Sequence, residues 1–165
     1  MRGLRYIDRD GRVLFLFRKR ISLLKLHREQ RLAGRSFTCM IIGIGLDMSR
    51  VERWRDDARR NRMLNRFFDP RERDYINSRA RMAAESAAGV FAAKEAFAKA
   101  AGSGFGVISP ENIIILHTPK GKPFYQLTGN AEKAMRDLGA DDAHLSITHE
   151  GGFAAAMCIL EAKER

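Results

Sequence analysis

The stretch "AAGVFAAKEAFAKAAGSG", residues 87–104, limits what this chain can fold into more than any other. It belongs to an alanine-rich helix predicted over 80–101, with Gly102 as the residue that stops it. At about 100° per residue, Ala84, Ala88, Phe91, Ala92, Ala98 and Lys99 lie near Glu95, while Val90, Ala93 and Phe97 occupy the opposite side. A helix apolar on both sides is buried between layers. The rest of the fold must therefore wrap it, and Glu95 leaves it from an apolar stripe. A lone carboxylate there is costly to desolvate and tends to have a raised pKa. Pairing with Lys99 one turn on is the local remedy, worth about 0.2–0.5 kcal/mol when exposed.

A second carboxylate sits on the strand signal "IIGIGLD". Its alternation puts Ile42, Ile44 and Leu46 on one face and Ile41, Gly43, Gly45 and Asp47 on the other, as in a half-buried strand. The glycine face is bare, so another backbone or a ligand can come close to it. Asp47 lies where that face ends. Two hard oxygen donors with nothing soft beside them, Asp47 and Glu95, suit Mg²⁺, which takes one or two carboxylates plus phosphates and waters.

The remaining punctuation predicts an α+β domain. "SRVE" has the spacing of a capping box opening an arginine-rich helix to about Asn61, and "DPRE" places Asp69 at N-cap, Pro70 at N1 and Glu72 at N3 of another. "NIIIL" and 124–127 read as strands around a Pro119–Pro123 turn, and Thr128 or Asn130 caps a short helix ended by Gly139. "HLSITHE", Gly151-Gly152 and "FAAAMCIL" form a hairpin. Irregular alternation of strand and helix points to α+β instead of a doubly wound sheet.

The net charge of +10 suggests a nucleic-acid binder until its distribution is read. Residues 1–39 hold 11 Lys/Arg and 3 Asp/Glu, whereas the other 126 hold 19 and 17. We therefore take 1–39 as a basic extension outside a domain spanning 40–165. Three readings of it stand: an arm for something anionic, a transit-like segment, or upstream sequence from a misplaced start with Met40 the natural one. We adopt the third. The longest early apolar run, Val13–Phe17, is far too short for a bilayer span. Cys39 and Cys158 have neither metal-ligand spacing nor a second pair, which points to a reducing compartment. The loop "GSG" could cradle phosphate through Gly102 and Gly104, but it closes a helix where a dinucleotide-binding loop opens one. Phosphates near a helix C-terminus need a cation, from Lys94, Lys99 or a metal.

Taken in order, "GIGLDMSRVERW", "FAAKEAFAKAAGSG", "GKPFYQL" and "HLSITHE" resemble the holo-[acyl-carrier-protein] synthases, small bacterial 4′-phosphopantetheinyl transferases. The resemblance spans Met40 to about Glu161. It implies a 4′-phosphopantetheinyl transferase-like fold with antiparallel strands on the long alanine-rich helix, assembled as a homotrimer with sites between subunits. It also implies Mg²⁺-dependent transfer of 4′-phosphopantetheine from coenzyme A to a serine of apo acyl carrier protein, releasing adenosine 3′,5′-bisphosphate. That work would support fatty acid synthesis in the cytoplasm, with no membrane or nucleic acid as partner. By motif, Asp47 and Glu95 hold the metal, Glu95 and Lys99 are catalytic, and Thr148 and His149 lie toward the adenosine end of coenzyme A. Arg53 is carried over to the helix that docks the carrier. With Arg60 and its other arginines, that helix would steer an acidic partner.

Two departures matter. The family commonly has arginine immediately before the helix aromatic, and this chain has Val90; another group must then meet the nucleotide 3′-phosphate, or coenzyme A binds more weakly. Thr148 stands where serine is frequent. The residues leave the general base open between Glu95 and a metal-bound water, and His149 open between packed core and ligand contact. A metal-dependent phosphohydrolase or nuclease could use the same two carboxylates but would usually need more acidic ligands. A nucleic-acid binder acting through the basic arm would leave the near-neutral remainder without a role.

Overall fold

Strand Cys39–Arg50 (β3) turns its glycines, not its isoleucines, onto the alanine-rich helix. The computed structural model describes residues 5–7, 13–15 and 39–163, and the chain divides into two units, Met1–Phe37 and Thr38–Arg165. In the first, Arg5–Ile7 (β1) pairs antiparallel with Val13–Phe15 (β2). The three readings of residues 1–39 otherwise fall outside the described residues.

The second unit is α+β. After β3 come helices Asp57–Phe67 (α1), Pro70–Ser78 (α2) and Ala83–Ala100 (α3), then strands Ile113–His117 (β4) and Pro123–Leu127 (β5). Helix Gly129–Leu138 (α4) and strands Asp142–Glu150 (β6) and Phe153–Lys163 (β7) complete it. Antiparallel pairing gives a three-stranded sheet in the order β3-β7-β6 and a separate β4-β5 pair. The β6-β7 hairpin turns on Gly151 and Gly152, both at positive φ, as a two-residue turn of matching twist requires. Among the described residues no helix is long and apolar enough to cross a membrane.

Register fixes which side of the sheet meets α3. Gly43, Gly45, Asp47 and Ser49 share the inner side with Leu160, Cys158, Ala156 and Ala154 of β7. Backbones approach so closely that a Cβ built on Gly45 would lie 1.9 Å from the Ala96 carbonyl oxygen, and one on Gly43 2.2 Å from that of Ala100. Glycine on the strand facing alanine on the helix is what permits this contact. Ile44, Leu46, Met48 and Met157 consequently lie on the outer side, each exposed in the single chain. The buried half of β3 is thus its glycine half.

Two predicted boundaries change. The alanine helix begins at Ala83, after a 3₁₀ turn over Ala80–Met82. "SRVE" is not a capping box: β3 continues to Arg50, and the buried Ser49 Oγ accepts from Trp54 Nε1 at 3.0 Å. Burying Trp54 against Phe68 and Phe91 draws Val51–Trp54 into a 3₁₀ turn. Helix α1 therefore starts later, with Asp56 as N-cap, and runs past Asn61 to Phe67. The "DPRE" capping box is present as read.

Candidate active site

Asp47 sits on the inner face of β3 where the close β3–α3 contact ends, and Lys99 reaches it from the last turn of α3. The lysine Nζ donates to Asp47 Oδ1 at 2.8 Å and to the Leu46 carbonyl at 3.0 Å. Lys99 is half exposed and Asp47 mostly buried. Glu95, one turn earlier on α3, is half buried. Its pKa is held above the ordinary carboxylate range by burial first and then by the negative charge of Asp47, against the opposing pull of Lys99 and Arg53. Four charged groups of both signs therefore converge here. The expected local pair is corrected by this geometry: Lys99 bonds across to Asp47, not back to Glu95, because the glycine contact brings β3 within its reach.

Asp47 and Glu95 fit a hard divalent cation. Two carboxylates close enough for one charge to raise the other's pKa gain from a cation between them. Among the described residues there is no group of three or more His, Cys, Asp and Glu suited to holding a metal. Mg²⁺, which completes its shell with phosphate and water oxygens, is the ion such a sparse donor set serves.

Other expected residues are placed differently. Lys94 is removed from the coenzyme A set: its ammonium is fully buried and donates to Glu72 Oε2 at 2.7 Å, the Pro110 carbonyl at 2.9 Å and the Ile113 carbonyl at 2.6 Å. One residue's rotation from Glu95 points it into the core. The Gly102 and Gly104 amides donate to the carbonyls of Lys99 and Ala98, so they close the helix and do not cradle phosphate. Arg60, largely buried, is spent on Asp57 at 2.6 Å and on the Trp54 carbonyl at 2.9 Å. It holds the turn between β3 and α1 and is not free to face a carrier. Arg53 is exposed, with its guanidinium 5.9 Å above the Phe91 ring.

Thr148 and His149 part company, as neighbours on a strand must. Thr148 pairs with Ala155, which on its other edge pairs with Met48, so Thr148 lies on the outer side of the sheet, away from Asp47 in the same chain. His149 faces α3, and its Nε2 lies 3.1 Å from the Glu85 carbonyl oxygen. It is exposed rather than packed in the core, and it closes over Gly89, where a Cβ would lie 2.9 Å from Nε2.

Beside it opens a cavity of about 220 Å³ whose lining includes Tyr75, Arg79, Ser86, Val90, His117 and His149. Tyr75 and His117 stack there with centroids 4.0 Å apart and planes 18° from parallel. Tyr75, Arg79 and His117 are not among the residues the sequence singles out. Tyr75 and Arg79 meet one turn apart at the end of α2, whereas His117 joins them from the end of β4 only through the tertiary fold.

A family model described as the 4′-phosphopantetheinyl transferase superfamily matches residues 43–158. The holo-[acyl-carrier-protein] synthase of Treponema denticola is 42% identical over 125 residues, covering 74% of this chain and 99% of the relative. That of Trichlorobacter lovleyi is 44% identical over 128 residues, with the same coverage. Among solved structures, the Neisseria meningitidis holo-[acyl-carrier-protein] synthase superposes with a TM-score of 0.63 at 32% identity, covering 73% of this chain and 98% of that one. The Helicobacter pylori enzyme in complex with coenzyme A gives 0.60 at 30% identity, over 71% and 98%.

Proposed function

The chain belongs to the 4′-phosphopantetheinyl transferase superfamily, as an enzyme of the holo-[acyl-carrier-protein] synthase kind, and from that premise we propose that it moves 4′-phosphopantetheine from coenzyme A to a serine of an apo acyl carrier protein. Adenosine 3′,5′-bisphosphate leaves. The observation that carries this reading is the convergence of Asp47, Glu95 and Lys99 at the close β3–α3 contact. Nuclease and nucleic-acid-binding readings give way to it.

In-line phosphoryl transfer asks a protein mainly for positioning and for charge facing the pyrophosphate. Lys99, anchored by Asp47 and the Leu46 carbonyl yet half exposed, supplies a positive charge fixed in direction. Its electrostatic effect at about 4 Å grows from roughly 1 kcal/mol in water to about 4 kcal/mol at an effective dielectric of 20. Asp47 and Glu95 would hold Mg²⁺, which when bound polarises phosphoryl oxygens. The proton of the attacking serine would go to the Glu95 carboxylate or to a water beside it.

Arg53, Arg59 and Arg62 are exposed and without an ion pair among the described residues and so are available to an acidic carrier, whereas Arg55 pairs with Glu52 and Arg60 with Asp57. The exposed outer face of the sheet, with Ile44, Leu46, Met48 and Met157, supports a homotrimer in which neighbouring copies cover it. Work on fatty acid synthesis in the cytoplasm follows from the same reading.

Incubation with coenzyme A, Mg²⁺ and apo carrier protein tests it by mass spectrometry. A phosphopantetheine mass gain on the carrier is expected, lost on chelation and in Asp47→Ala. No gain, or one indifferent to both, overturns the assignment.

A further inference from the structure

Coenzyme A carries two separate anionic groups, a pyrophosphate and a ribose 3′-phosphate. Lys99, Asp47 and Glu95 answer only the first. The 220 Å³ cavity lies along the other half of α3: Val90 and Ser86 precede Glu95 by five and nine residues, about 8–14 Å at the helical rise. The two regions are thus distinct along one helix, as two separate anionic groups of one ligand require.

The cavity lining carries one carboxylate, Glu85, and one arginine, Arg79, set against an aromatic wall. Tyr75 and His117 form a stacked aromatic wall, and the Arg79 guanidinium lies 5.7 Å from the Tyr75 ring centroid. Stacking of this kind pre-orients the planar fork that binds phosphate. Arg79 is exposed and has no ion-pair partner among the described residues. Burial, and then the charge of Arg79, lower the His117 pKa, so that imidazole is neutral near pH 7 and Arg79 is the permanent cation of this lining.

The backbone beside it is unusual. Ala80 has φ +48°, the one positive φ on a non-glycine among the described residues. Such a conformation costs about 1–2 kcal/mol and persists where surrounding structure enforces it. Across this turn consecutive arginines part: Arg79 lines the cavity with Val90, and Arg81 lines a different one with Arg55 and Arg60.

We propose that Arg79 is the specificity residue for the 3′-phosphate of coenzyme A in this chain, entering from the α2–α3 turn the same cavity that Val90 leaves apolar. It rests on the transferase reading above. Its consequence is discrimination between coenzyme A and 3′-dephospho-coenzyme A.

Steady-state transfer by the full chain is measured with both donors for wild type, Arg79→Ala, Arg79→Lys and Arg81→Ala. Wild type is expected to prefer coenzyme A. Arg79→Ala should raise the KM for coenzyme A roughly tenfold or more, the size of a lost charge-assisted contact, and leave the KM for the dephospho donor where it was. Lysine should recover part of the preference, and Arg81→Ala should keep all of it. Equal KM increases for the two donors, or a wild type without preference, overturn the proposal. Transfer from neither donor would overturn the transferase reading itself. Calorimetry separates the two cases without turnover: wild type should bind adenosine 3′,5′-bisphosphate more tightly than AMP, and Arg79→Ala should erase that difference. Equal affinities in the wild type would sink the role of Arg79 whatever the transfer assay gives.

Discussion

Helix α3 carries two lysine–carboxylate pairs a little over a turn apart, with almost equal distances and opposite character. Lys94 and Glu72 meet at 2.7 Å with both side chains 0% exposed; Lys99 and Asp47 meet at 2.8 Å with 51% and 19% exposed. All three Lys94 protons are taken, and Glu72 also accepts from the Asp69 and Ile115 amides. Burial pushes Glu72 up and Lys94 down, so desolvation outweighs the attraction between them. The outer pair is unsaturated: Lys99 spends its ammonium on two acceptors and keeps half its surface in solvent. Distance does not separate a structural pair from a chemical one. Spare bonding capacity in reach of a substrate does.

The sharpest way to break this contrast is to remove each lysine's function separately. Lys94→Met leaves Glu72 buried and unpaired, and should cost about 3–5 kcal/mol of unfolding free energy in urea. Asp47→Ala breaks only a partly exposed pair and should cost under about 1 kcal/mol, while transfer falls roughly a hundredfold or more. Full stability in Lys94→Met together with lost transfer would return Lys94 to the substrate site and erase the distinction.

Gly45→Ala probes the contact that makes the outer pair possible. Its Cβ would fall 1.9 Å from a backbone oxygen of α3, which cannot rotate aside, so strand and helix must separate. A loss of about 1–3 kcal/mol is expected, with a drop in transfer because Asp47 moves away from Lys99 and Glu95. Gly104→Ala is the comparison, since nothing lies within 4 Å of its Cβ and its cost is the strain of φ +63° alone. Equal effects on transfer from both substitutions would mean that the close approach does not set the site.

The same contrast explains what the sequence made legible. The alanine helix, the Asp69 capping box and the hairpin glycines all rest on patterns a few residues long. Lys94 reads from the sequence as a phosphate ligand because its partner, Glu72, is already accounted for as the N3 residue of a capping box. That carboxylate does both jobs at once, one oxygen bonding Asp69 N and Lys94 and the other Ile115 N. Ser49 is a similar case: a hydroxyl at capping spacing is taken by the Trp54 indole, and burying a large aromatic outweighs one N-cap bond. His117 has no local signature, because its stacking on Tyr75 depends on how α2 and β4 pack, and the i,i+4 contact of Arg79 with Tyr75 is by itself an ordinary helix-end pair.

The mildest test reads access without changing a residue. Amine-directed modification of the native protein, followed by peptide mapping, should label Lys99 and spare Lys94. Two effects compete at Lys94: its lowered pKa favours the reactive neutral amine, whereas full burial denies the reagent contact. Burial wins as long as the helix stays packed, since all three donor directions are occupied and the Phe68 ring lies 5.2 Å from the nitrogen. Coenzyme A with Mg²⁺ should then slow labelling of Lys99 and leave the exposed Lys133 unaffected. Labelling of Lys94 at the rate of Lys99 would show that the buried pair opens readily in the native state. Absence of protection at Lys99 would remove its contact with the pyrophosphate while leaving the buried pair as described.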